Sequence, residues 1–139
     1  MQRALLRALM LAAAVAVAGC DNDVENQTPT EPPPTVTETF EGTINPNGAA
    51  THTFSVSVGG TVSATLLQLS PDPAIAVGFA IGTWNSTSDA CQLVISNDNA
   101  TQGVILNGNA SRGGLLCTRI FDTGRLAAPV SYTISVTHP

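Results

Sequence analysis

From residue 38 to residue 139, apolar and polar side chains alternate with a period of two, and no stretch carries an apolar stripe at helical spacing. A period of two sends successive side chains to opposite faces of an extended strand, so this part of the chain has to fold as strands that bury one face. The pattern is clearest over Thr51 to Val58, where Phe54, Val56 and Val58 alternate with Thr53, Ser55 and Ser57, and over Val130 to Val136, where Val130, Tyr132, Ile134 and Val136 alternate with Ser131, Thr133 and Ser135. The same reading places strands at Phe40 to Ile44, Thr61 to Leu69, Ile75 to Thr83, Gln92 to Ser96, Gly103 to Leu106 and Leu115 to Phe121, eight in all. Turn-favouring groups separate them: Pro46-Asn47-Gly48, Gly59-Gly60, Pro71-Asp72-Pro73, Asn97-Asp98-Asn99, Asn107-Gly108-Asn109, Gly113-Gly114 and Asp122-Thr123-Gly124. Short strands at this spacing predict an all-β sandwich or barrel.

Composition removes other classes. The chain has five arginines, no lysine and ten acids, for a formal charge of −5, so it lacks the basic stripe that binding to nucleic acid requires. Charged residues are 11% of the whole, while 43% are apolar, enough to bury a core and too many for a disordered chain.

The first residues read differently. Arg3 and Arg7 form a short basic start, an apolar run extends from Ala8 to Ala18, and Val17-Ala18-Gly19-Cys20 closes the segment. A run of 11 residues is too short to span a bilayer, which takes about 20, but suits an export signal. The small-small-Cys ending resembles a lipobox, which implies cleavage after residue 19 and a diacylglyceryl group, with fatty acids such as palmitate, on Cys20. An ordinary cleaved signal with an incidental cysteine is the alternative. Lipidation implies a bacterium, an envelope location and membrane lipid as a partner. Asp21, directly after the cysteine, resembles the inner-membrane retention signal of enteric bacteria; that code differs between bacterial groups, so either membrane stays open. From Asp21 to Thr37 the chain is acidic and Thr-rich, carries Pro29, Pro32, Pro33 and Pro34, and holds almost nothing apolar. It reads as a disordered linker reaching at most roughly 50 Å at ~3.1 Å per residue, or as a tail with no spacer role.

The Gly59-Gly60 pair constrains topology. In a two-residue hairpin loop Val58 would face Thr61 and Val56 would face Ser63, placing the two apolar sets on opposite faces. Either Thr61 joins the loop, or the chain crosses there to a second sheet, as jelly-roll sandwiches do. Phe40-Glu41-Gly42, Thr53-Phe54-Ser55-Val56, Gly60-Thr61-Val62 leading to Leu66, the run from Gly114 to Asp122, and Tyr132-Thr133-Ile134-Ser135-Val136 together resemble the bacterial pre-peptidase C-terminal domain. The resemblance covers nearly all of residues 38 to 138. It implies a jelly-roll-like β-sandwich of about eight antiparallel strands, a non-catalytic module of exported proteins with relatives that bind calcium, collagen or polysaccharide. Two features depart from it: no enzyme domain accompanies the module in this sequence, and Ala74 and Ala76 stand where many members carry an acidic pair.

With Cys20 assigned to lipid, Cys91 and Cys117 form an even pair in an exported chain, which predicts a disulfide. Ligation of a metal by this pair is the alternative, but His52 and His138 lie in opposite terminal regions of the domain and no CxxC or HxxH spacing is present, so no metal site and no cofactor are expected. For hydrolysis there is neither a GxSxG elbow nor an HExxH helix. The carboxylates of Asp72, Asp89, Asp98 and Asp122 fall in loops or at strand ends, where Asp serves turns, and no catalytic residue is assigned. Two residues are candidate ligand contacts. Asp98, within Asn97-Asp98-Asn99, offers oxygens for calcium or is one side of a plain turn; Trp84 offers an indole to a sugar face or plugs the end of the core. Because the segments holding them flank the strand Gln92 to Ser96, they are expected at opposite ends of it. The function expected is that of a lipid-anchored, non-catalytic envelope protein presenting a binding or adhesion module to a polysaccharide or a protein. A structural or accessory subunit of an envelope assembly is the alternative, and a hydrolase comes third.

Overall fold

The computed structural model describes residues 31–139. The signal peptide assigned to residues 1–19, Cys20 and the linker up to residue 30 lie outside the described residues. A compact unit spans Pro32–Pro139. Its eight strands are β1 (Val36–Ile44), β2 (Ala49–Val56), β3 (Gly60–Ser70), β4 (Val77–Asn85), β5 (Ala90–Ala100), β6 (Ile105–Ala110), β7 (Gly114–Phe121) and β8 (Val130–His138). They form two antiparallel sheets of four, ordered β1-β8-β3-β6 and β2-β7-β4-β5. Only β4 and β5 make a hairpin within one sheet, and every other connection passes from one sheet to the other, which is the strand order of a jelly roll.

Of the two solutions open at Gly59-Gly60, the chain takes the crossing. β2 ends at Val56 against β7, and β3 begins at Gly60 against β6 in the other sheet. Val58, expected on a core face, lies instead in the crossing segment and is 45% exposed. The β2–β3 and β6–β7 crossings press together here: a Cβ on Gly113 would come within 2.4 Å of the Ser57 carbonyl oxygen.

The inward sets of both sheets meet in one core. Phe54 and Val56 of β2, Val62, Ala64 and Leu66 of β3, Val77, Phe79 and Ile81 of β4, Ile120 of β7 and the alternate residues Val130 to Val136 of β8 are all buried there. In β3 the inward step from Leu66 to Leu69 is three residues, which a regular strand cannot make. A bulge against β8 absorbs the extra residue, and Leu67 is left 48% exposed. β4 departs most from the sandwich rule, because its outward residues Gly78 and Ala80 are buried as well. The Phe121 ring occupies the space where Gly78 would carry a Cβ.

Several expected boundaries move. Val36 and Thr37, assigned by composition to the linker, belong to β1, and the Thr37 hydroxyl bonds that of Thr137 at 2.9 Å. Asn97-Asp98-Asn99 is not a turn but an irregular stretch of β5, where its register against β4 shifts by one residue; the turn follows at Gly103, with φ of +90°. Asn107-Gly108-Asn109 lies inside β6 because it pairs with β3 from Thr61 to Ser63.

Candidate functional site

The two sheets leave two flanks between their edge strands, β1 with β2 on one side and β5 with β6 on the other. The first flank is closed. Phe40 stacks on His52 with ring centroids 4.8 Å apart, and the His52 Nε2 and Tyr132 hydroxyl share a hydrogen bond of 2.8 Å. Tyr132 belongs to β8 and reaches His52 because its neighbour across the ladder is Gly42, where a Cβ would lie 2.5 Å from the Tyr132 oxygen. Burial holds the His52 pKa below its ordinary value and raises that of Tyr132, in each case disfavouring charge. Further along, Phe54 packs on His138 at 5.1 Å, and His138 Nε2 lies 2.9 Å from Glu38 Oε1. The Pro139 carbonyl oxygen accepts from His138 Nδ1–H at 3.1 Å. This side is a packed wall of aromatic rings with its polar atoms paired inward.

The second flank is open. A cleft of about 430 Å³ enters between β5 and β6, with Val62, Ile81 and Leu116 toward its floor, Val94 and Ile95 from β5, Leu115 at the start of β7, and the Ala110–Gly114 segment over one end. Val94 is the extra residue of β5 where its register shifts against Ile81 and Gly82, and it stands 71% exposed at the rim. Leu115 is also exposed. Arg112 is the one ionisable side chain in the lining. The lining carries the hydroxyls of Thr83 and Ser111, with no carboxylate, imidazole or thiol beside them. It can desolvate an apolar side chain beside a fixed positive charge.

The wall of this cleft is held by the disulfide. Cys91 and Cys117 are bonded with Cα atoms 5.9 Å apart, although β4 lies between their strands. Gly82 permits this, because a Cβ there would fall 2.1 Å from the Gln92 carbonyl oxygen. β5 therefore crosses directly above β4 at Gly82, brings Cys91 to Cys117, and continues into Leu93 and Val94.

Trp84 and Asp98 are not in the cleft. Trp84 pairs with Cys91 and Val77 pairs with Ala100, so Trp84 and Asp98 sit toward opposite ends of the β4–β5 hairpin. Trp84 is half-buried, and the core cluster on β4 ends at Ile81, so the indole does not plug the core. Asp98 is exposed. Its neighbours are committed locally: Asn97 Oδ1 accepts from the Asn99 N–H at 2.9 Å, and Asn99 Oδ1 accepts from the Arg125 guanidinium. Among the described residues no three His, Cys, Asp or Glu side chains gather as a metal site would need. Asp122 is structural. Its carboxylate accepts from the backbone N–H groups of Asn47, Gly124, Arg125 and Leu126, and these bonds, that from Asn47 foremost, hold its pKa below the usual carboxylate range.

Val94, Leu115 and Arg112 belong to no motif and were not among the expected site residues. One signal was available: Leu93-Val94-Ile95 is three consecutive apolar residues, and a half-buried strand cannot turn all three inward. No protein-family model and no curated protein matches this chain. Among solved structures it is similar to PliG of Aeromonas hydrophila, a periplasmic lysozyme inhibitor of g-type lysozyme, with 12% identity and a TM-score of 0.51 over 72% of this chain and 83% of that one. At that identity the similarity is one of fold.

Proposed function

We propose that this chain is a non-catalytic protein of the bacterial envelope, anchored through a lipid on Cys20, that binds a protein partner through the cleft between β5 and β6. The observation that carries the reading is the pair of exposed apolar side chains, Val94 and Leu115, at the rim of a cleft whose only ionisable group is Arg112. Apolar anchors beside an arginine are the composition of protein interfaces, whereas carbohydrate sites rely on aromatic rings, and the cleft has none. The disulfide suits an oxidising compartment. The fold shared with a periplasmic inhibitor protein supports a protein as the partner.

A photo-crosslinking residue placed at Val94 in cells is expected to capture a discrete envelope protein, and the same residue at Leu67, exposed on the bulge of β3, is expected to capture none. A g-type lysozyme is the first purified protein to test for binding and inhibition. Equal labelling from both positions, or none from Val94, would sink the cleft reading. Polysaccharide binding keeps one observation in its favour, the half-buried Trp84 outside the core. Retention on envelope glycan that disappears in Trp84→Ala while the fold survives would select it.

A further inference from the structure

The strands converge on two ends of the sandwich that differ in chemistry. At one end lie the start of β1 at Val36, the end of β8 at His138, the β2–β3 and β6–β7 crossings and the β4–β5 hairpin with Trp84. Val36 is 52% exposed, and Val58 is exposed beside it: Val36 pairs with His138, while the Pro139 carbonyl accepts from the Ser57 N–H at 3.3 Å. The ionisable side chains at this end are Arg112, Asp89, and Glu38, which is paired with His138. At the other end stand Asp72, Asp98 and Asp122, with Arg125 as the cation. The polypeptide that leads back to Cys20 enters at the first of these ends, where β1 begins.

We infer that the end carrying Val36, Val58 and Trp84 is a lipid-contact surface, on which the sandwich rests with its acidic end turned away from the membrane. The inference rests on the lipidation of Cys20 proposed above. An anchored chain meets its membrane as an intramolecular event, so a few exposed apolar side chains suffice where a free domain would need a large patch. Headgroup charge adds a smaller bias, because an anionic surface repels the end with Asp72, Asp98 and Asp122 more than the one where Arg112 stands with Asp89 and Glu38. The cleft between β5 and β6 then opens sideways, along the membrane plane.

Trp84 is the only tryptophan in the chain, so its emission reports this end alone. The test uses the mature chain, its lipid verified by intact mass, in vesicles of phosphatidylethanolamine and phosphatidylglycerol with acyl chains brominated close to the headgroup. Most Trp84 emission is expected to be lost relative to unbrominated vesicles, and to return in the double variant Val36→Asp, Val58→Asp, whose positions are too exposed for the change to unfold the domain. Undiminished emission from lipid-bearing protein would overturn this inference and leave the anchored reading standing. Quenching that persists in the double variant would overturn it too, since the contact would then be made elsewhere. A mature chain with no lipid mass would bring down both readings.

Discussion

The two flanks of this sandwich solve one problem in opposite ways. Each is a seam between edge strands of facing sheets, and each exposes the core unless something fills it. Between β1 and β2 the filling is side chain: Phe40, His52 and Tyr132 close the seam, and Gly42 gives up its own volume so that the tyrosine can cross. Between β5 and β6 the filling is backbone, where β5 rides over Gly82 and is tied by Cys91–Cys117. Backbone cannot interdigitate as rings do, so a cleft remains. A wall of packed aromatic rings seals its seam, while a wall tied by a covalent strut holds one open in a defined shape.

The largest test breaks the closed flank. Tyr132→Ala removes a buried ring and should cost about 3 to 5 kcal/mol in denaturant unfolding, whereas Tyr132→Phe, which loses only the bond to His52, should cost about 1 kcal/mol. Equal costs would mean that the ring does not close the seam.

Next comes the strut. Cys91→Ser and Cys117→Ser should each lower stability by about 3 kcal/mol, as expected in the chain-entropy account for a loop of sequence separation 26. Both should also abolish crosslinking from Val94, because β5 is released from its place over Gly82. Variants that keep the crosslink would show that the cleft wall stands without the disulfide.

A smaller effect comes from protons. Burial lowers the folded-state pKa of His52 below its ordinary value of about 6.5, so the unfolded chain binds that proton more readily. The stability concerned is present above about pH 6.5 and is lost as pH falls through the folded-state value. Asp122, held below the usual carboxylate range by backbone N–H groups, that of Asn47 foremost, adds a second loss in more acidic solution. Melting temperature followed against pH should therefore fall in two stages, and His52→Gln should remove the stage nearer neutrality alone. A variant curve that superimposes on wild type would exclude His52 as its origin.

The smallest effect on stability belongs to the open flank. Val94→Asp changes a residue that is mostly in water and should move stability by no more than about 0.5 kcal/mol while removing partner binding. Binding that survives would place the interface elsewhere.

Much of the fold could be read from side-chain order. Eight strands were expected and the described residues form eight, because period-two patterning depends only on neighbours along the chain. The inward set Val130 to Val136 lies where the alternation put it. What failed was local punctuation. Asn107-Gly108-Asn109 has the composition of a turn, yet it is strand, because pairing with β3 outweighs the turn preference of three residues. The site was less readable still. Arg112 joins Val94 and Leu115 only because β5, β7 and the β6–β7 crossing meet at one edge, and nothing along the chain encodes that meeting.

The order of residues thus suffices for strand content, the inward faces, the pairing of the two domain cysteines by elimination, and the need to resolve Gly59-Gly60 by a longer loop or a crossing. Each follows from chemistry within a few residues or from counting. Which strand became an edge, which glycine received a ring and which a backbone carbonyl, and which seam stayed open were settled only when two sheets packed face to face. Those outcomes depend on contacts between residues far apart in the chain, such as Gly42 with Tyr132 and Gly113 with Ser57, whose separations no local pattern carries.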